Sequence, residues 1–249
     1  MNWNLIPYQM FTGTFNMDYD LALVKNCNDN TPILRFYGWQ PNCITLGANQ
    51  SYDEINKSAT EKHNIDVVKR PTGGRAILHA EELTYSVIMP NSEQISGRLL
   101  YEKISKAIVT GLRKFDTTLL DVELENQTPD FQKLLKETSG SLCFASTAKS
   151  EIKFQGKKLV GSAQRKLGKT ILQHGSILIG KKHRNLVDYL NVDDKEKIKL
   201  KDEIAKSTTE LSTITNQNID IFELQDFIIT GFKESFNAKF KLQESETSL

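Results

Sequence analysis

The residues best suited to chemistry form the segment KRPTGGRAILH, residues 69–79. Its adjacent glycines, Gly73 and Gly74, allow the backbone to take a positive φ and to come into contact with a ligand. Three basic side chains could hold a carboxylate, a phosphate or an acyl carbonyl beside that backbone: Lys69, Arg70 and Arg75. On residue types alone, the alternative is an ordinary tight hairpin with solvated charges.

A second segment, GKKLVGSAQRKLGKTILQHGSILI, follows about eighty residues later at residues 156–179. Together the two segments resemble the lipoate-protein ligase and octanoyltransferase family, which also contains the catalytic domain of biotin protein ligases. Residues 69–79 are similar to the family's R-R-x-x-G-G-x-A-x-x-H loop, and residues 158–164 to its K-x-x-G-S-A-Q/Y segment. FNMDYDLAL and LRFYGWQPNCITLG also resemble the family's first helix and early strand pair. The resemblance covers roughly residues 10–190.

Within this family, the resemblance is greatest to the octanoyltransferases called LipM. Cys143 lies in SLCFAS, fifteen residues before Lys158, where LipM enzymes have the cysteine that takes an octanoyl group from acyl carrier protein. ELTYSV, residues 82–87, is also similar to LipM. ATP-dependent lipoate ligases generally lack this cysteine and activate the acid as an adenylate.

The resemblance therefore implies an enzyme that transfers octanoyl from octanoyl-acyl carrier protein to a protein lysine. The acceptor would be a lipoyl domain or the glycine cleavage H protein, and an acyl thioester would form on Cys143. No metal, ATP or other cofactor is expected. Three alternatives remain: an ATP-dependent lipoate ligase with Cys143 incidental, an octanoyl amidotransferase between lipoyl proteins, and a non-catalytic acyl- or carrier-binding protein.

The predicted chemistry requires an activated thiol. An unperturbed cysteine is only a few per cent thiolate at pH 7, so Cys143 requires a nearby cation or base. Lys158 could serve as an ammonium that stabilises the thiolate and the developing oxyanion, or as the base that removes the thiol proton. An inert thiol is the alternative for Cys143 and the interpretation preferred for Cys27 and Cys43, which lie in predicted core elements.

The resemblance assigns seven residues to the acyl site: Arg70, Gly73, Gly74, His79, Gly161, Ser162 and Gln164. In this interpretation Ser162 and Gln164 donate hydrogen bonds to the acyl carbonyl. His79 either orients a loop or assists proton movement, or is a structural histidine, as is expected for His174. The sequence departs from the family at Lys69, where a point charge replaces a bidentate arginine, and at Ala80, which stands where Asp is frequent.

Composition excludes several other classes of protein. With 249 residues and a net charge of +1, the chain lacks the excess of basic residues expected of a nucleic-acid binder. No stretch approaches eighteen apolar residues, so no membrane span is expected. The N-terminus lacks the pattern of a secretory signal, and three cysteines without a CxxC indicate neither a zinc ribbon nor a disulfide framework. We therefore expect a cytoplasmic protein.

Charge is unevenly distributed along the chain. Residues 149–184 contain ten lysines and arginines and one acid, Glu151, a formal charge of +9. This segment is either a solvated lysine-rich surface or a docking face for an acidic partner. By resemblance, acyl carrier proteins and lipoyl domains are such partners.

The order of predicted elements indicates a protein of mixed α and β structure. The resemblance implies an α/β fold of the α+β type, with mixed β-sheets flanked by helices, similar to the biotin/lipoate protein ligase catalytic domain. One domain is expected over residues 1–249, with its core at about 10–190 and a helical part at about 184–240. Helices are predicted at residues 16–25, from Ser51 to about His63, and at 96–115 and 219–236. Strands are predicted at residues 33–36, 43–46, 65–68, 76–78, 83–89, 119–124, 151–154, 158–164 and 170–179.

Overall fold

The computed structural model describes residues 1–27, 31–90, 96–125 and 151–243. Eleven strands lie in these ranges: β1 (Asn2–Phe11), β2 (Ile33–Trp39), β3 (Cys43–Leu46), β4 (Asp66–Lys69), β5 (Ile77–His79), β6 (Glu82–Pro90), β7 (Val122–Leu124), β8 (Ile152–Phe154), β9 (Lys157–Leu167), β10 (Thr170–Leu178) and β11 (Lys239–Leu242).

Six α-helices lie in the same ranges: α1 (Gly13–Lys25), α2 (Lys57–Lys62), α3 (Gly97–Phe115), α4 (Asp194–Ser207), α5 (Leu211–Thr215) and α6 (Ile221–Phe236). Three 3₁₀ segments accompany them: Tyr52–Glu54, Thr117–Leu119 and Lys181–Tyr189. None of the helices in the described ranges is long and apolar enough to cross a membrane.

The strands form two sheets. The larger has the order β11-β1-β2-β6-β10-β9-β8-β7, and the smaller the order β4-β3-β5. In the larger sheet β1 runs parallel to both β11 and β2, and every other neighbouring pair is antiparallel. This mixed arrangement, with helices packed on the sheets, agrees with the predicted fold class.

The largest hydrophobic cluster lies between the larger sheet and the helix pair α3 and α6. Apolar residues recur along one face of α3 and are buried there: Leu100, Ile104, Ile108 and Leu112. Trp3 of β1 packs edge-on against Phe232 and Phe236 of α6. A second cluster joins the smaller sheet to the 3₁₀ segment Lys181–Tyr189 and to α4. The two clusters support separate walls of the site described below.

Three expectations from the sequence differ from the structure. The predicted helix from Ser51 to about His63 is wrong: the capping box at Ser51 caps a 3₁₀ turn, Ile55 is extended and bridges to Leu190, and Asn56 starts the short α2. The predicted buried strand at residues 65–68 is the half-exposed β4 at the edge of the smaller sheet. The sequence pattern also missed β1 and β11.

Candidate active site

The glycine loop, residues 70–76, connects β4 to β5. Gly74 has φ +98°, a conformation that L side chains rarely adopt. The loop also packs closely against the end of β3, because a Cβ added to Gly47 would overlap the carbonyl oxygen of Gly74. Gly73 and Gly74 are exposed and line the cavity, so their backbone is accessible to a ligand.

Arg70 holds this loop in place. Its buried guanidinium donates hydrogen bonds to the carbonyl oxygens of Gly73 at 2.9 Å, Arg75 at 2.7 Å and Thr45 at 2.9 Å. The sequence interpretation assigned Arg70 to the acyl site. The structure places it on the cavity wall, with at least three of its hydrogen bonds made to backbone carbonyls.

His79 lies beneath the loop in a buried polar cluster. Its Nδ1 is 2.7 Å from Glu82 Oε1, its Nε2 is 2.8 Å from Thr45 Oγ1, and its ring stacks on Trp39. Burial would raise the pKa of Glu82, but His79 and hydrogen bonds from Thr84 and Ser176 hold that pKa below its usual value. Both ring nitrogens of His79 thus have hydrogen-bond partners, Glu82 and Thr45, an arrangement typical of a histidine that orients its neighbours.

A second histidine supports the loop from the other side. His174 Nε2 lies 2.6 Å from Thr72 Oγ1, and His174 Nδ1 lies 3.7 Å from the carboxylate of Asp20. Burial lowers the pKa of His174. Burial would raise the pKa of Asp20, but Arg35 at 2.7 Å and His174 hold it below its usual value. His174 lines the cavity, and Asp20 and Thr72 hold it there. Sequence reasoning placed Asp20 in a family motif but assigned it no role in the site.

Lys158 is the second residue of β9 and forms a buried ion pair with Glu151. The Nζ and Oε1 atoms are 2.6 Å apart, and the two side chains are 5% and 4% exposed. Both residues line the cavity. Sequence reasoning did not assign Glu151 to the site. A signal was available, since Glu151 is the one acid among ten basic residues at 149–184.

These groups surround one cavity of about 370 Å³ between the two sheets, a size typical of small-molecule sites. It brings together Lys158 and all seven residues assigned to the acyl site: Arg70, Gly73, Gly74, His79, Gly161, Ser162 and Gln164. Apolar side chains line it as well: Met17, Tyr37, Trp39, Ile77 and Ala163. The cavity can therefore hold an apolar chain beside a polar head.

Cys143 lies outside the described residues. The nearest described residues on either side contact each other: Glu125 N donates a hydrogen bond to Glu151 O at 2.8 Å, and Lys153 pairs with Glu125 at 2.5 Å. Of these three residues, Glu151 lines the cavity.

The described cysteines do not resemble activated nucleophiles. Cys43 is buried, and burial together with Asp66 and Glu82 raises its pKa well above the usual value. Cys27 is half-buried and lies away from the residues that line the cavity. Within the described ranges, no group of three or more His, Cys, Asp or Glu residues is arranged to hold a metal ion.

Comparison with known proteins identifies the family. The family described as Lipoyl protein ligase A/B catalytic domain matches residues 12–233. The chain belongs to this family. Octanoyltransferase LipM of Clostridioides difficile (strain 630) is 35% identical over 248 residues, covering 96% of this chain and 88% of the relative. Octanoyltransferase LipM of Carboxydothermus hydrogenoformans is 31% identical over 260 residues, covering 99% and 93%.

Solved structures of this family share the fold. A bipartite lipoate protein ligase of Thermoplasma acidophilum, described with its E2 lipoyl domain, superposes with a TM-score of 0.77 at 21% identity, covering 99% of this chain and 88% of the other. Lipoate-protein ligase A bound with ATP superposes with a TM-score of 0.75 at 21% identity, covering 99% and 90%. These superpositions confirm the predicted fold. The LipM relatives and the family match confirm the predicted class of enzyme, an octanoyltransferase of lipoate biosynthesis.

Proposed function

We propose that this enzyme moves an octanoyl group from an acyl carrier protein to a lysine of a lipoyl domain, through a thioester on Cys143. The observation that carries the proposal is the cavity, in which the buried Lys158 lies beside an exposed glycine backbone and an apolar wall. Burying an eight-carbon chain against that wall contributes about 5 kcal/mol, at ~0.8 kcal/mol per methylene.

Each half of the reaction balances without a cofactor. The Cys143 thiolate attacks the thioester carbonyl carbon, a new C–S bond forms, and the carrier leaves as its thiolate, which takes up a proton. The acceptor lysine amine then attacks the acyl-enzyme, so that a C–N bond forms and the C–S bond breaks. The amine proton passes to the Cys143 sulfur, which restores the free enzyme.

We assign Lys158 to charge stabilisation in both halves. An ammonium next to the cavity favours the thiolate over the thiol and stabilises the negative oxygen of each tetrahedral intermediate. Its ion pair with Glu151 supports the charged form of Lys158 over the alternative in which a neutral Lys158 removes the thiol proton.

The basic residues beside the glycine loop support an acidic carrier protein as the acyl donor. Arg165 donates a hydrogen bond to Pro71 O at 2.6 Å, which joins the glycine loop to the β9–β10 turn. Exposed Lys166 and Lys169 lie at that turn, and exposed Arg75 lies in the loop. Such a basic rim suits an acidic carrier. The acceptor is a lipoyl domain, or the glycine cleavage H protein that resembles one.

The decisive test is incubation of the enzyme with octanoyl-acyl carrier protein, without ATP, followed by intact mass measurement. We expect a gain of one octanoyl group that hydroxylamine removes. Cys143→Ala should abolish the gain, and Cys27→Ala should leave it unchanged. Addition of a lipoyl domain should then discharge the enzyme and add octanoyl to the domain.

Other outcomes identify the alternatives. Absence of octanoyl-enzyme, together with ATP-dependent modification of a lipoyl domain by free lipoate in Cys143→Ala, would establish a ligase instead. Acylation by an octanoylated lipoyl protein but not by the carrier would establish an amidotransferase.

A further inference from the structure

A row of polar side chains crosses three neighbouring strands at the cavity wall. Gly175 of β10 pairs with Tyr85 of β6 on one side and with Ser162 of β9 on the other. Tyr85 Oη reaches past Gly175 and lies 2.7 Å from Ser162 Oγ. Glycine at position 175 makes this contact possible, because a Cβ there would lie 2.7 Å from Ser162 Oγ and 2.9 Å from the Tyr85 ring.

The neighbouring glutamines fix the direction of the hydrogen bonds in this row. Gln164 Nε2 donates to Gln173 Oε1 at 3.0 Å, which leaves Gln173 Nε2 to donate to Tyr85 Oη at 3.4 Å. The phenol oxygen is therefore an acceptor from Gln173. Tyr85 is fully buried, and burial raises its pKa to about 12, so its own proton stays on the oxygen.

A buried hydroxyl proton requires an acceptor. Among the described residues, the acceptor that Tyr85 contacts is Ser162 Oγ. Ser162 Oγ thus accepts one hydrogen bond from Tyr85 and keeps its own proton for a second partner. Ser162 lines the cavity together with Lys158 and the glycine loop, so this proton is available to a ligand there.

We propose that Tyr85 is a positioning residue that directs the Ser162 hydroxyl proton at the carbonyl oxygen of the bound acyl group. This inference rests on the proposed acyl transfer. Ser162 would then donate a hydrogen bond to the oxygen as negative charge develops on it, and no bond to hydrogen breaks. Tyr85 acts through Ser162, and Gln173 acts through Tyr85. A donor already oriented before the reaction stabilises the transition state without reorganisation.

The test compares Tyr85→Phe, Ser162→Ala and the double variant in formation of octanoyl-enzyme from octanoyl-acyl carrier protein. Tyr85→Phe should reduce the acylation rate at saturating carrier about ten- to hundred-fold, less than the roughly hundred- to thousand-fold cost of removing an oxyanion donor, because the Ser162 hydroxyl remains but is no longer oriented. The carrier concentration at half-maximal rate should not change. Because Tyr85 acts only through the Ser162 hydroxyl, the double variant should acylate no more slowly than Ser162→Ala alone. Tyr189→Phe, which removes the hydroxyl of a tyrosine that does not line the cavity, is the control and should keep the wild-type rate.

Two results would overturn the assignment alone: wild-type rates in Tyr85→Phe, or losses that multiply in the double variant. Gly175→Ala tests the same geometry by a different route and should lower the rate at saturating carrier with unchanged half-saturation, provided that its melting temperature remains near that of the wild type. If wild-type enzyme forms no octanoyl-enzyme, the proposed function fails and this assignment fails with it.

Discussion

Replacing Lys158 by methionine should destabilise the protein and abolish acyl transfer, whereas adding Glu151→Gln should restore stability without restoring activity. The two charged atoms are 2.6 Å apart, and both side chains are almost fully buried. At an effective dielectric constant of about 20, their attraction is about 6 kcal/mol. Desolvation of each ion costs several kcal/mol, so the intact pair adds little net stability.

The magnitude follows from what each variant leaves behind. Lys158→Met leaves the Glu151 carboxylate buried without this partner, and loss of one member of a buried pair costs about 3–5 kcal/mol. The double variant replaces both charges with neutral groups of similar size, and its free energy of unfolding should return to within about 1 kcal/mol of the wild type.

Urea unfolding at pH 7.5 measures the stability, and intact mass after incubation with octanoyl-acyl carrier protein measures the activity. Lys153→Met is a matched control, since its pair with Glu125 is more exposed, at 15% and 19%, and its loss should cost less. The reasoning is refuted if the double variant is as unstable as the two single losses added together. It is equally refuted if the double variant still acquires octanoyl.

Three further predictions concern the loop, the histidines and the basic rim. Gly74→Ala should lower the free energy of unfolding by about 1–2 kcal/mol, because the φ of Gly74 is positive. Gly73→Ala should change this free energy little, since its Cβ would meet no heavy atom within 4 Å. Urea unfolding of the two variants measures the difference. Burial lowers the pKa of His183, so the unfolded chain binds the extra proton first and stability should fall as pH drops below about 6.5. The urea midpoint should thus be lower at pH 5.5 than at 7.5, and less so in His183→Gln; an unchanged difference would contradict this. Replacing Lys166 and Lys169 by glutamate should raise the half-saturating concentration of octanoyl-acyl carrier protein at low salt. The half-saturating concentration of octanoyl-pantetheine, which lacks the carrier protein, should not change. Equal effects on both donors would exclude docking of the carrier at this rim.

Local patterns predicted the elements that depend on nearby residues. The apolar stripe of α3 and the apolar run of β10 were identified because burial imposes their periodicity. β1 and β11 were missed because they pair with each other from opposite ends of the chain, with Asn2 beside Lys239. The capping box at Ser51 formed as predicted, but the extended Ile55 that follows it bridges to Leu190 and ends the turn after Glu54.

The sequence motifs indicated which residues line the cavity, but not the carboxylates that pair with them. Both glycines and Lys158 lie at the cavity as the resemblance implied. The carboxylates that bind the basic residues were not assigned to the site, because each comes from another element. Glu151 immediately precedes β8 while Lys158 lies in β9, and Asp20 reaches His174 from α1. No spacing rule within one segment can indicate such a contact. Cys143 lies outside the described residues and stays a prediction.

The buried carboxylate–histidine pairs beneath the glycine loop are better explained by positioning than by stability. Asp20 with His174 and Glu82 with His79 are both almost fully buried, and apolar residues of similar volume would stabilise such positions at least as well. The first pair contacts the loop directly, because His174 hydrogen-bonds to Thr72. The second pair contacts it indirectly, because His79 hydrogen-bonds to Thr45, which accepts a hydrogen bond from Arg70 of the loop. The loop itself exposes two glycines and lacks side chains there that could pack. Hydrogen bonds from below are therefore the means by which this fold keeps an accessible backbone in one conformation, as an acyl-binding surface requires.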